Sequence, residues 1–115
     1  MRIFRLYTGD DQQSHLEELK MSFAPGQFAE QTPPQPATGV IFTRMVPGAF
    51  VDWHNAPRQY AIFLSGGQME VVIGDGTTRQ FGPGDAVLFE DLTGQGHTSR
   101  SVGGDRLTAI VPLAD

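Results

Sequence analysis

With 115 residues and 39% apolar side chains, the chain has room for one hydrophobic core but not two. Its net charge of -5 and dispersed basic residues exclude a nucleic-acid footprint, and the lack of cysteine excludes disulfide frameworks, thiolate zinc sites and cysteine nucleophiles. No apolar run approaches the roughly 20 residues of a membrane-spanning helix, and Met1-Arg2-Ile3-Phe4-Arg5 reads as a charged strand rather than a signal peptide, so a cytoplasmic setting is expected.

Ile3, Phe4, Leu6 and Tyr7 predict a first strand, stopped at Gly9-Asp10-Asp11. Ser14-His15-Leu16-Glu17 matches a capping box and predicts a short helix from Ser14 to about Met21. His15 reads as a solvated residue of that helix. Residues 24–38 carry Pro25, Pro33, Pro34 and Pro36 and predict a long, irregular connection. From Val40 onward the pattern is β throughout. Expected strands are Val40–Val46, Tyr60–Leu64, Met69–Ile73, Thr77–Phe81, Ala86–Phe89 and Leu107–Val111, separated by glycine-rich turns. Gly74-Asp75-Gly76 is the clearest hairpin signal, because tight hairpin turns need positive φ. Short strands at regular spacing point to a small all-β barrel or sandwich.

Two stretches carry the candidate chemistry. In the first, Gly48 precedes His54 by five intervening residues and Gln59 precedes Gly66 by six; in the second, Gly84-Asp85 opens a strand and turn that close on His97. This pairing resembles the two motifs of the cupin superfamily over about Val40 to Leu113. The resemblance implies a double-stranded β-helix, a jelly-roll-like barrel, in a single domain over residues 1–115. Its core is about 40–113, and 1–39 supply the N-terminal strand, helix and Pro-rich segment. It also implies a barrel pocket with His54, Gln59 and His97 as metal ligands, and a homodimer. The family often has a second histidine two residues after the first, where this chain has Ala56; alternatively His54 is that second histidine and Asp52 stands in place of the first. Gln59 stands at the family's glutamate position.

Residue chemistry bears on the same group. Strand alternation puts Asp52 and His54 on one face and turns Trp53 the other way, toward solvent or another subunit. Two imidazoles with oxygen donors suit a divalent zinc, nickel, manganese or iron ion. Of Glu90 and Asp91, alternation points one inward; Glu90 is the candidate catalytic acid or base, and Asp91 the candidate cap of the following turn. Arg44 and Arg58 are candidate contacts for an anion. The expected function is that of a stand-alone, metal-dependent enzyme acting on a small polar organic molecule. The competing expectation is a non-catalytic module that binds a small-molecule ligand. Neither involves nucleic acid or membrane.

Overall fold

Among residues 1–114, which the computed structural model describes, the chain forms eight strands and no helix. These are β1 (Arg2–Thr8), β2 (Ser14–Leu19), β3 (Ile41–Met45), β4 (Phe50–His54), β5 (Gln59–Val72), β6 (Thr78–Phe81), β7 (Asp85–Glu90) and β8 (His97–Pro112). The all-β architecture expected from the sequence is present.

Two long strands organise the sheet. β5 and β8 pair antiparallel from Gln59 opposite Pro112 to Val72 opposite Thr98. The first half of β5 also pairs with β7 and its second half with β6. β8 in turn pairs with β4 through its first half and with β3 through its second. β1 runs parallel to β7 and antiparallel to β2, so both of its edges are occupied within the chain. β1 therefore offers no open edge through which the expected homodimer could form. The main path, β2-β1-β7-β5-β8-β3, is open and does not close into the expected barrel. Short outer strands end the ladder on each side instead of continuing it; β3 and β4 have five residues each and β6 four.

The expected turn at Ser65-Gly66-Gly67 is instead the bent middle of one continuous strand. Register shifts fall between Phe63 and Ser65 and between Gly66 and Gln68. Gly66 has φ of +88°, and a Cβ there would sit 1.8 Å from the Asp105 carbonyl oxygen. Only glycine permits that approach, so the residue marks a bulge that bends β5 across the fold without breaking the ladder. Gly74-Asp75-Gly76 does make the expected hairpin: Gly76 N donates to Ile73 O at 3.0 Å and Ile73 N to Thr77 O at 3.1 Å.

The expected helix over Ser14 to Met21 is strand β2. Its capping-box pattern is satisfied by no helical turn, because Ser14, Leu16 and Leu19 pair across the ladder with Thr8, Leu6 and Ile3. A single capped turn is a weak nucleus in water, and pairing with an adjacent buried strand outweighs it. The Pro-rich connection is irregular as expected, tied down by isolated bridges from Ala24 to Gln31 and from Ala37 to Leu113.

The core forms where the second half of β5 and β6 fold over β1, β7 and the first half of β5. Phe81 is fully buried there, edge-on to Phe4 with ring centroids 5.1 Å apart and stacked on Phe63. Leu6, Val71 and Val87 fill the same layer. At roughly 25 cal/mol per Å² of apolar surface removed from water, such side chains supply the main drive for folding. Phe63 and Phe89 belong to this core and also form walls of the cavity described next.

Candidate functional site

His54 ends β4 and His97 begins β8, and the two are direct partners across the antiparallel ladder. Their ring centroids lie 4.3 Å apart with the planes tilted by 54°. Phe89 stacks against His97 at 5.3 Å. Both histidines and Gln59 line one cavity of about 260 Å³, walled on its apolar sides by Phe63, Met69 and Ile110. The structure thus brings together all three residues expected to form the metal site.

Each imidazole is anchored through one nitrogen. His54 Nδ1 lies 2.7 Å from the Asp52 backbone oxygen. A carbonyl only accepts, so Nδ1 carries the hydrogen, and in the neutral ring Nε2 is the acceptor. His97 Nδ1 meets Asp91 Oδ2, and Ser14 Oγ donates to that same oxygen at 3.0 Å. His97 is 1% exposed and Asp91 fully buried, so this contact is shielded from water. In both rings Nε2 is the nitrogen left for a ligand.

Asp91, assigned by the sequence to capping a turn, is the positioning partner of His97. Glu90, the expected catalytic residue, is placed elsewhere. It accepts from Arg5 Nε and Arg58 Nε, each at 2.8 Å, and is not among the residues lining the cavity. Burial pushes the Glu90 carboxyl upward, but the hydrogen bonds from Arg58 and Arg5 outweigh it and hold its pKa below the usual range. A carboxylate held ionised in this way is a poor proton donor. Asp52 is exposed and spends its carboxylate on the Trp53 backbone N–H. A register shift between Val51 and His54 breaks the simple alternation that put Asp52 beside His54. Among the described residues, no group of three or more histidine or acidic side chains converges as a metal cage.

Sequence reasoning passed over Arg106 and Thr108. Both line the cavity from β8, two positions apart and so on one face. Arg106 is 6% exposed, its guanidinium 5.6 Å from the centre of the Phe63 ring, and burial lowers its pKa. Its Nε and Nη1 and the Thr108 Oγ1 are buried without a hydrogen-bond partner. The signal was legible: extending the expected strand Leu107–Val111 by one residue puts Arg106 in the inward parity of Thr108 and Ile110.

A larger groove, of about 480 Å³, lies between the Pro-rich segment and the outer face of the sheet, with Ile62 and Tyr60 in its floor. Its lining carries no histidine, acid or base side chain, and Tyr60 already donates to Gln35 Oε1 there. It is the seat on which the Pro-rich segment packs. The two histidines, Gln59 and Arg106 line the smaller cavity.

No protein-family model and no curated protein matches the sequence.

Proposed function

We propose that this chain is a cupin-type small-molecule protein whose β-walled cavity holds a divalent metal ion on His54 and His97, with Gln59 as a third, neutral ligand. The observation that carries the reading is the opposed histidine pair, each ring fixed through Nδ1 with Nε2 untied. Ligating histidines are held in this manner, their second nitrogen donating to a carboxylate or backbone carbonyl. The donor set fits a borderline ion: two imidazoles with an amide oxygen suit zinc, nickel or iron(II). Such an ion, when bound, supplies Lewis-acid polarisation of a coordinated oxygen. The chain's own contribution is an apolar wall and a fixed pair of imidazoles.

The test is metal analysis of protein purified without chelator, followed by titration with cobalt(II) and nickel(II). Stoichiometric binding that His54→Ala or His97→Ala abolishes supports the reading. No bound transition metal and no affinity on titration overturns it.

One observation favours a second reading, a non-catalytic binding module: the cavity lining carries no carboxylate among the described residues, and Glu90 is committed to Arg5 and Arg58. A ligand recovered chemically unchanged from stabilised protein distinguishes this reading from an enzyme.

A further inference from the structure

Burying a guanidinium without a counter-charge costs several kilocalories per mole, and proteins rarely leave one so. Arg106 is such a group. It is nine-tenths buried, no acidic side chain pairs with it among the described residues, and both Nε and Nη1 lack acceptors. The face-on contact with Phe63 offsets part of this cost but satisfies no N–H. Thr108, two residues on, lines the same cavity and holds a second unpartnered donor.

The ionisable side chains that line the cavity bear positive charge or none. His54, His97 and Arg106 line it, with no aspartate or glutamate. The nearest buried acid, Asp91, has one oxygen engaged with His97 and Ser14. The rest of the lining is mainly apolar, including Met45, Ala61, Phe63 and Met69. A ligand complementary to these walls carries a single compact negative head and a short apolar body. Planar carboxylate matches the guanidinium fork with two parallel N–H···O bonds, which spherical or tetrahedral anions match less well.

We propose that Arg106 and Thr108 form the recognition site for a small organic monocarboxylate with an apolar body, its carboxylate bonded to Arg106 and its body against Phe63 and Met69. The proposal rests on the reading of this cavity as the ligand site and assigns its substrate class. It also completes the electrostatics of that reading: an acid neutralises the arginine that would otherwise oppose a divalent cation in the same cavity.

The test uses the full chain, chelator-treated and metal-loaded in parallel, titrated with butyrate and benzoate and with benzamide and inorganic phosphate as controls. Binding is read by calorimetry and by the Arg106 Nε–H resonance in a ¹H–¹⁵N spectrum, assigned from its loss in Arg106→Lys. The expected result is saturable binding of at least one carboxylate, a shift of that resonance, and tenfold or greater weakening in Arg106→Met, with benzamide and phosphate weaker than the carboxylates. Arg106→Met is also expected to raise the melting temperature of ligand-free protein by removing the buried unpaired charge. Should that variant fail to fold, the resonance shift in the wild type decides alone. Absence of saturable carboxylate binding, binding that leaves the resonance unmoved, or tighter binding of phosphate or benzamide overturns the proposal. Carboxylate binding through Arg106 in chelated protein that takes up no metal upholds it while removing the metal reading. Metal uptake with no carboxylate bound does the reverse.

Discussion

Asp91 stands behind His97 as a positioning group, its Oδ2 shared between the imidazole Nδ1 and the Ser14 hydroxyl in a region closed to water. Removing one partner of such a buried contact leaves the other without compensation. Asp91→Ala is expected to lower unfolding stability by about 3 kcal/mol, measured by urea denaturation. The milder Asp91→Asn is expected to fold and to weaken metal affinity by roughly 10- to 100-fold through loss of ring orientation. Unchanged metal affinity in Asp91→Asn counts against a positioning role.

Gln59 lines the cavity beside both histidines and brings no charge. Gln59→Glu adds an anionic oxygen with almost no change in volume. Metal affinity is expected to rise on the order of tenfold, in keeping with the dependence of such sites on ligand charge. Competition titration against a chromophoric chelator measures it.

Glu90 ties β7 to Arg5 of β1 and to Arg58 just before β5. Its folded-state pKa is depressed below the ordinary 4.5, so its contribution to stability is present above that value and is lost as pH falls through the folded pKa. Asp85, held below its ordinary 3.8 by Arg2 and the Gly82 N–H against an opposing effect of burial, adds a loss in the same direction. The arginines are partly exposed and screened, so Glu90→Gln is expected to cost only about 1 kcal/mol. Carboxylate and metal binding should be unchanged. A large fall in ligand affinity in this variant would return Glu90 to the site.

Gly66→Ala tests the bent middle of β5. The new methyl would meet the Asp105 carbonyl at a backbone angle that favours glycine. A loss of about 3 kcal/mol is expected, with a lower melting temperature in circular dichroism. Gly76→Ala, also at positive φ but with no atom within 4 Å of the added carbon, is expected to cost less.

A dimer remains the expected assembly, but through other strands than β1. Phe42 is 69% exposed on β3, and Phe50 and Trp53 are exposed on β4, both strands being laid along the same partner, β8. Exposed aromatic side chains of this kind favour association. Light scattering is expected to give twice the chain mass for wild type and the single-chain mass for a Phe42→Glu/Trp53→Glu variant. A wild-type monomer at all working concentrations rejects the dimer.

Most strands were legible because glycine, proline and β-branched runs report local preferences. Ser14 to Leu19 was not, since a capping pattern is local and the pairing with β1 that overrides it is not. Gly66-Gly67 looked like a turn because glycine signals positive φ whether the chain reverses or only bulges. At the site, His54 and His97 were readable as a pair from motif spacing. The choice between Glu90 and Asp91 was not, because Ala86 through Phe89 are all buried and give no alternation from which to count. Arg106 was hidden because the expected strand begins at Leu107, whereas β8 already begins at His97.

The order in which the strands pair has a kinetic consequence. β1 lies against β7, with Arg2 opposite Asp85, and β5 reaches its full ladder only when β8 has arrived. β1 can pair with β2 at once, but its other edge must wait for β7, more than half the sequence away. High separation between pairing residues slows two-state folding to milliseconds or longer. Until β8 docks, one edge of β5 stays unpaired along its length, making this interval an exposure to aggregation and to chaperone capture.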